Sequence, residues 1–201
     1  KIIPAENIQV FPNAIDKKLF FPQDKHEVRR VMGVSDNDFI VAYVGHFINR
    51  KGSRRLSKAL DMIGGVKSIF IGKGAEEPDC EGILFKGHLN HNEINQYLNA
   101  ADVFALPTLA EGCCNAIIEA MACGLPVISS DLPFNDDILD DSCSIRIDPM
   151  NIDEIAKAIE TVLNDGELKT RLSNGALEKA KSLDIETRAK NIIRFMESRI
   201  N

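Results

Sequence analysis

The segment FIVAYVGHFINRKG, residues 39–52, decides the fold class. Its first six residues are apolar or aromatic without alternation, which is typical of a parallel strand covered on both faces. Similar runs predict further strands at Ile8–Phe11, Ser68–Ile71, Gly82–Phe85, Val103–Leu106, Val127–Ser129 and Ser144–Ile147. After the quoted segment the apolar residues change to helical spacing, at Leu56, Ala59, Leu60 and Ile63. Because strands and helices alternate, we expect an α/β fold with a doubly wound parallel sheet.

The second half of the chain continues this alternation and ends in helices. Helices are predicted at Asn92–Ala101 and at Asn115–Cys123. After residue 151 the pattern is almost wholly helical, with one break near residue 165 and another near residue 183. We therefore expect one domain over residues 1–183 and a separate C-terminal helix over residues 184–201.

The composition excludes several classes of protein. With 44% hydrophobic and 27% charged residues among 201, the chain fits a globular domain. Its net charge of −6 argues against nucleic acid as a partner, and no apolar run approaches the ~18 residues that span a bilayer. The five cysteines have neither C-x-x-C nor zinc-ligand spacing, which favours a reducing compartment such as the cytoplasm. A start at Lys1, without methionine or signal peptide, leads us to expect a piece of a longer protein.

The loop after the predicted strand at residues 39–44 is one candidate binding segment. Gly45 at the strand end lets a ligand approach the backbone closely. Lys51 follows near a helix N-terminus, where a diphosphate would meet positive charge and free backbone N–H groups. We favour a binding role for Lys51, with Gly45 and His46 beside it. Three further cations fit a solvated helix face better, namely Arg54, Arg55 and Lys58.

The strongest candidate is the segment EGCCNAIIEAMACG, residues 111–124. A loop of small residues opens a helix whose free N–H groups can bind an oxyanion. Glu119 is the only charged residue of this apolar helix, and burying an unpaired carboxylate costs several kcal/mol. Glu119 is therefore either paired in the core or turned into a cleft toward a ligand. Because it shares a face with Asn115 at the helix N-terminus, we favour binding of vicinal hydroxyls, such as those of a ribose.

Glu111, taken alone, is as consistent with a cap or a solvated residue as with a ligand-binding role. Glu111 and Glu119 together, with seven residues between them and the run EAMACGLPVI, resemble the signature of glycosyltransferase family four, also called group 1. Other segments match in order, namely VFPNAID (10–16), GH…KG (45–52), IFIGKG (69–74), FKGHL (85–89) and ADVFALPT (101–108). The match covers nearly the whole chain. It implies the C-terminal, donor-binding half of a GT-B fold, a Rossmann-like domain with a helical tail.

The resemblance implies a role for each motif residue. Lys51 would neutralise the diphosphate of a nucleoside diphosphate sugar, Glu119 would hold the ribose, and Glu111 would contact the transferred sugar. Lys51 and Glu111 are thus the residues expected to act in catalysis. Further donor contacts are expected from Gly45, His46, His88, Leu89, Gly112, Cys113, Cys114 and Asn115. The base would lie near His88 and Leu89, and neither a cofactor nor an obligate metal is implied.

The implied reaction is transfer of a hexosyl unit to a saccharide or lipid-linked acceptor, with retention of configuration. The acceptor would bind a separate N-terminal domain, so this piece alone is expected to be inactive. The resemblance places the protein in the cytoplasm, with peripheral contact to the inner face of the membrane as a further option for the full-length protein. A GT-B-fold epimerase and a nucleotide-binding module without activity remain alternatives. An NAD-dependent enzyme is disfavoured, because the glycine fingerprint is incomplete.

Two departures from the family pattern affect the expected site. His46 stands where arginine is usual, so a fixed charge becomes a titratable one. Cys113 and Cys114 stand where glycine and a bulkier residue are usual, which is expected to narrow the sugar pocket. The other histidines lack a carboxylate-and-nucleophile context, and among them His26 is expected at the surface.

The last predicted helix carries an apolar stripe that has two readings. Its members are Ile185, Ala189, Ile192, Ile193, Met196 and Ile200. Either the stripe packs on the domain's own core, or it braces the absent N-terminal domain. In the second case we expect residues 192–201 to be mobile or covered by a neighbouring molecule.

Overall fold

The computed structural model describes residue 4 and residues 7–200 of the chain. Six parallel strands form one sheet: β1 (Ile40–Val44), β2 (Lys67–Ile71), β3 (Ile83–Gly87), β4 (Val103–Leu106), β5 (Val127–Ser130) and β6 (Ser144–Ile147). Their order is β3-β2-β1-β4-β5-β6, that of a doubly wound α/β sheet. All four residues of β4 are completely buried, as expected for a strand covered on both faces. The predicted fold class is confirmed.

The described residues form seven α-helices: α1 (Lys25–Met32), α2 (Ser53–Ile63), α3 (His91–Ala100), α4 (Asn115–Ala122), α5 (Ile152–Asn164), α6 (Gly166–Ser182) and α7 (Ile185–Ile200). The crossovers β1-α2-β2 and β4-α4-β5 leave the sheet centre in opposite directions, so α2 and α4 cover opposite faces. Helix α5 packs beside α2, α6 beside α4, and α3 beside α1. None of the described helices has the length and apolar character that a membrane span requires.

Strands β1 and β4 are neighbours at the centre of the sheet, where the direction of winding reverses. Ala42 pairs with Phe104 across this junction, so the carboxyl ends of both strands lie side by side. The chain leaves β1 toward α2 and leaves β4 toward α4, on opposite faces. In doubly wound sheets, the crevice that binds ligands lies between the two loops at such a switch point.

Residues 8–11 do not form the predicted strand. Ile8 and Val10 are exposed, and Phe11 packs edge-on against Phe195 of α7, with ring centroids 5.9 Å apart. A strand needs a neighbour with unpaired backbone groups, whereas this segment lies beside a helix. The strand prediction was therefore wrong here, and the nearest pairing is a single isolated bridge from Ile15 to Asp184.

The spacing of apolar residues does not predict helix α1, because five of the eight residues in KHEVRRVM are polar or charged. Its ends carry the expected signals. The side chain of Asp24 accepts from the backbone N–H of Glu27 at 3.1 Å, and Gly33 closes the helix with a φ of 68°. The helix is held by buried Arg29, which pairs with Asp102 at 2.7 Å.

The breaks predicted near residues 165 and 183 are confirmed as the ends of α5 and α6. The apolar stripe of α7, however, lies largely outside the core: Ile185, Ile193 and Met196 are 51%, 53% and 57% exposed. The reading in which the stripe packs on the domain's own core is therefore wrong for these three residues. Helix α7 is attached to the N-terminal segment instead, where Nε of Arg188 donates to the carbonyl oxygen of Pro12 at 2.7 Å. The side chain of Ile200, and Asn201, lie outside the described residues.

Candidate functional site

Lys51 and Glu111 form an ion pair in the crevice between β1 and β4. Nζ of Lys51 lies 2.5 Å from Oε1 of Glu111, and the two side chains are 13% and 9% exposed. The hydroxyl of Thr108, just after β4, donates to the same carboxylate oxygen at 2.7 Å. Desolvating two charges is costly, so a nearly buried pair is weak support for stability and better support for a role at this position. The pair places one cation and one carboxylate where α/β sheets bind their ligands.

The loop that carries Lys51 is fixed by the loop that carries Glu111. One turn of 3-10 helix, Asn49–Lys51, ends at Gly52, whose φ of 78° is left-handed. A Cβ at Gly52 would lie 2.3 Å from the carbonyl oxygen of Pro107, so any other residue would displace one of the loops. The backbone N–H of Leu109 donates to the carbonyl oxygen of Arg50 at 2.8 Å. Both loops are therefore positioned by backbone contacts between them.

Arg55 supports these loops and does not lie on a solvated helix face. Its guanidinium donates at 2.7–2.9 Å to three carbonyl oxygens, those of Asn49, Pro107 and Pro149. The assignment of a solvated helix face, made from the sequence, is therefore wrong for Arg55, because these loops surround it. It is confirmed for Arg54 and Lys58, which are exposed.

The backbone just after β1 packs closely on the backbone just after β2. The N–H groups of Gly45 and Phe47 donate at 2.9 Å to the carbonyl oxygens of Ile71 and Lys73. A Cβ at Gly72 would lie 1.9 Å from the carbonyl oxygen of Gly45. This close approach explains the glycine at position 72 without a dinucleotide-binding role.

His46 combines a fixed backbone with an exposed side chain. Its carbonyl oxygen accepts a hydrogen bond from the hydroxyl of Tyr43 at 2.9 Å, and burial raises the pKa of Tyr43 well above its usual range. Within the described chain the imidazole of His46 has no hydrogen-bond or ion-pair partner. Its side chain is therefore available to a ligand bound over the end of β1.

Helix α4 begins directly after the Glu111 loop, and its first turn lacks a side-chain cap. The cap residue Cys114 makes no such hydrogen bond, so backbone N–H donors remain available for an anion. Burial and the nearby carboxylate of Glu111 raise the pKa of the Cys114 thiol to about 11, which keeps it neutral. Gly112 is exposed, with no atom near the position of a Cβ. The predicted phosphate loop is thus open at Gly112 and packed at Cys114.

Asn13 secures this loop from the N-terminal segment. Its side-chain amide donates to the carbonyl oxygen of Cys113 at 3.2 Å and to Oδ1 of Asn115 at 2.9 Å. Its backbone N–H also approaches the sulfur of Cys113 at 3.2 Å. The side chain of Asn115 is therefore engaged by Asn13, which the sequence singled out only as part of VFPNAID.

Glu119 is buried in α4 and is paired. Its Oε1 lies 2.8 Å from Nε2 of His91, the first residue of α3. The ring of Phe20 lies against the His91 ring, with centroids 5.0 Å apart. Among the described residues, Oε2 of Glu119 has no hydrogen-bond partner, and the side chain as a whole is 8% exposed. Pairing in the core is thus confirmed for Oε1, and the role of Glu119 toward a ligand stays a prediction.

The structure brings most of the candidate residues to one edge of the sheet. Lys51, Glu111 and the start of α4 meet at the β1–β4 crevice, whereas Glu119 is joined to the segment after β3. That segment also carries His88, which is exposed, and Leu89, which packs partly on the core. Sequence spacing misses three polar side chains that hold the site, namely Asn13, His91 and Thr108.

Concavity alone does not identify this site. A cavity of about 690 Å³ lies between α1, α3 and residues 18–24, and it contains none of the candidate residues. The surface histidine of α1, His26, is exposed as predicted and pairs with Asp36 at 3.0 Å.

The family model for glycosyl transferases group 1 matches residues 24–179, which is well over half of the chain. The chain belongs to this family. Its match spans β1 to β6 and includes Lys51, Glu111 and Glu119. The family resemblance that the motifs carry is thereby confirmed.

One curated relative and two solved structures illustrate what the chain is similar to. Alpha-galactosylglucosyldiacylglycerol synthase of Streptococcus pneumoniae is 31% identical over 147 residues, which are 65% of this chain and 39% of that protein. Sucrose-phosphate synthase of Thermosynechococcus elongatus superposes with a TM-score of 0.84 at 24% identity, over 96% of this chain and 52% of that one. The Anabaena protein HepE, in complex with UDP-glucose, superposes with a TM-score of 0.83 at 23% identity, over 94% and 57%. The chain thus spans about half the length, or less, of these proteins, and its fold is one half of GT-B.

Proposed function

We propose that this chain is the donor-binding domain of a retaining glycosyltransferase that takes a hexosyl unit from a nucleoside diphosphate sugar. The observation that carries the proposal is the Lys51–Glu111 pair at the switch point, beside the uncapped start of α4. This crevice offers positive charge for a diphosphate and a carboxylate for sugar hydroxyls. The complex of a similar fold with UDP-glucose supports this class of ligand.

Each part of the donor is assigned a partner of matching chemistry. Lys51 and the backbone N–H groups of residues 112–115 bind the diphosphate, with Gly45 and His46 beside it. Glu119 accepts from the ribose hydroxyls through Oε2, because its Oε1 is paired with His91. Glu111 receives Lys51 and Thr108 on Oε1, which leaves Oε2 for hydroxyls of the transferred sugar. The base lies near His88 and Leu89.

The charge in the crevice acts on the leaving group. When the bond from the anomeric carbon to the diphosphate breaks, negative charge develops on the diphosphate oxygens. Lys51 and the N-terminus of α4 are already positioned to stabilise that charge, so little reorganisation is needed. We therefore propose that transfer requires no obligate metal. Retention means that the acceptor oxygen bonds to the face that the diphosphate leaves.

The acceptor is proposed to bind a domain outside this chain. Residues 1–183 would form the donor domain, and residues 184–201 a helix that returns to the missing half. The exposed apolar side chains of α7 fit such a contact. The piece alone would then transfer no sugar. In the full-length protein the acceptor would be a saccharide or lipid-linked, reached in the cytoplasm or at the inner membrane face.

Two other functions would use the same pocket. A GT-B-fold epimerase would release free sugar or its epimer without an acceptor, and a binding module would release neither. In the full-length protein, release of nucleoside diphosphate that depends on added acceptor separates a transferase from both. The anomeric configuration of the product, read by NMR, tests retention.

Binding to the 201-residue chain is tested by thermal shift with UDP, GDP, ADP and their glucose and mannose conjugates. A ligand at one hundred times its Kd stabilises by about 2.7 kcal/mol, and Glu119→Ala is expected to remove most of that gain. Glu160→Ala, which changes an exposed glutamate of α5, is the matched control and should leave it intact. If no nucleotide shifts the Tm at millimolar concentration, the assignment of the donor site is wrong.

A further inference from the structure

Glu119 is buried, and His91 is its hydrogen-bond partner in the described chain. Nε2 of His91 and Oε1 of Glu119 share a hydrogen bond of 2.8 Å, in which the imidazole N–H donates to the carboxylate whenever the carboxylate is ionised. The nearby thiol of Cys123 supplies no charge, because burial and the carboxylate of Glu119 raise its pKa to about 12. Among the described residues no lysine or arginine pairs with Glu119. The orientation of its carboxylate therefore depends on the imidazole of His91.

His91 is itself held in place from two directions. It is the first residue of α3, directly after a capping box in which the backbone N–H of Asn90 donates to Oε2 of Glu93 at 2.8 Å. Its ring also lies against the ring of Phe20, with centroids 5.0 Å apart and planes tilted by 58°, and Phe20 is itself buried. The ring as a whole is 61% exposed, so it reaches from solvent to the buried carboxylate.

We propose that His91 is a positioning residue for nucleotide binding, which holds Oε1 of Glu119 and thereby presents Oε2 to the vicinal hydroxyls of a ribose. The inference rests on the proposed role of Glu119 as the ribose partner. It concerns a histidine on a different helix, for which the motifs supply no role. Without the imidazole, rotation about the side-chain bonds of Glu119 would spread its carboxylate over several orientations. Ordering it again would then oppose binding.

Two other uses of His91 make different predictions. A ring that stacked directly on the base would help ribose and deoxyribose nucleotides equally. A ring that competed with the ribose for Glu119 would weaken binding, and its removal would raise the affinity. Only a positioning role ties the effect of His91 to the ribose hydroxyls.

The test compares each of UDP, GDP and ADP with its 2′,3′-dideoxy form by titration calorimetry. His91→Leu removes the donor and keeps the bulk, whereas His91→Gln keeps an N–H donor at similar reach. His26→Leu, at an exposed histidine of α1, is the matched control. Circular dichroism checks that each variant is folded, and the side chain of His91, which is 61% exposed, is not part of the buried core.

For the nucleotide that binds, His91→Leu is expected to weaken the ribose form about tenfold and to leave the dideoxy form unchanged. His91→Gln should recover most of that loss, and His26→Leu should lose nothing. Equal losses for both forms, or a gain in affinity, would overturn the positioning role. Unchanged binding in His91→Leu while Glu119→Ala still abolishes it would overturn the inference alone. Failure of every nucleotide to bind the unmodified chain would overturn both the inference and the proposed function.

Discussion

The crevice between β1 and β4 differs from the surface of α7 in which kind of side chain is buried and which is exposed. In the crevice, charged groups are nearly buried and paired, as with Lys51 and Glu111, whose side chains are 13% and 9% exposed. On α7, apolar groups face outward, as with Met196, which is 57% exposed. The charged groups of the crevice are thus already in contact with each other, whereas an exposed stripe of apolar residues is typical of a contact surface. The crevice is formed within the chain, and α7 offers a surface for a further contact.

The two regions also differ in how many contacts fix them. The crevice loops are joined by Gly52 against Pro107 and by the bond from Leu109 to Arg50. Helix α7 is attached mainly through the N-terminal segment. There, the backbone N–H of Ile15 donates to Leu183 at 2.8 Å, and that of Ile185 donates to Ile15 at 3.2 Å. Few buried contacts mean low local stability, so we expect α7 to open far more readily than the crevice.

The largest effect on stability and binding is expected when the nearly buried ion pair of Lys51 and Glu111 is broken. Lys51→Met leaves Glu111 with no cation, which costs about 3–5 kcal/mol of unfolding free energy for a fully buried pair and somewhat less here. It should also abolish the Tm gain from nucleoside diphosphates. Urea unfolding measures the first effect and thermal shift the second.

A double variant separates stability from binding at the same position. Lys51→Met with Glu111→Leu removes both charges, so we expect most of the stability to return while diphosphate binding stays lost. Lys58→Met, at an exposed lysine of α2, is the matched control and should change neither property. Binding that survived in the double variant would exclude Lys51 from the diphosphate site.

The next effect compares one apolar residue from each region. Ile117→Ala in α4 empties a fully buried position and is expected to cost about 2–5 kcal/mol, whereas Met196→Ala should stay within ~0.5 kcal/mol. Hydrogen exchange on the same chain in dilute solution should give fast exchange over residues 192–199 and slow exchange over α4. Protection of residues 192–199 as strong as that of α4 would rule out an open surface on α7.

The sequence predicts the part of the molecule that follows from local pattern. Six strands and the helices at α3 and α4 fall within one or two residues of their expected bounds, because buried parallel strands leave unbroken apolar runs. In a doubly wound sheet Lys51 and Glu111 lie close together, because each follows one of the two strands that meet at the switch point.

What the sequence does not predict depends on contacts between distant segments. Arg55 has the spacing of a surface cation. It is buried because its guanidinium donates to carbonyl oxygens of three loops, which the spacing does not reveal. The hydrogen bond between His91 and Glu119 joins two helices, and its partners are 28 positions apart in the sequence. No motif indicates it. Residues 8–11 have strand-forming side chains, but no strand edge beside them.

A smaller effect concerns the exposed imidazole at the end of β1. We expect His46→Arg to raise nucleotide affinity a few-fold, because a guanidinium carries a permanent positive charge beside the diphosphate. Titration calorimetry on the unmodified chain and on the variant measures the difference. A His46→Arg variant with unchanged affinity would place His46 away from the phosphates.

The smallest effect tests how α6, unlike α7, is tied to the body of the domain. Nζ of Lys179 in α6 lies 2.6 Å from Oδ2 of Asp140, in the connection from β5 to β6. This hydrogen bond, with two more from Ser142, lowers the pKa of Asp140 from its ordinary 3.8 to about 2. A carboxyl group whose pKa is lower in the folded state adds stability above its unfolded pKa. That contribution is lost as the pH falls through the folded value, here between pH 4 and 2.

Because the side chain of Asp140 is 49% exposed, solvent screening keeps its contribution below about 1 kcal/mol. Asp140→Asn is therefore expected to flatten the unfolding free energy between pH 4 and 2 by that small amount and to lower it slightly at pH 7. Asp141→Asn changes the neighbouring carboxylate, which makes no hydrogen bond in the described chain, and is the matched control. Urea unfolding at pH 2, 3, 4 and 7 measures both variants. Identical acid dependence in the two would mean that the ion pair adds nothing to the attachment of α6, which also rests on the packing of Leu172 and Ala176 and on the hydrogen bond from Ser173 to the carbonyl oxygen of Gly124.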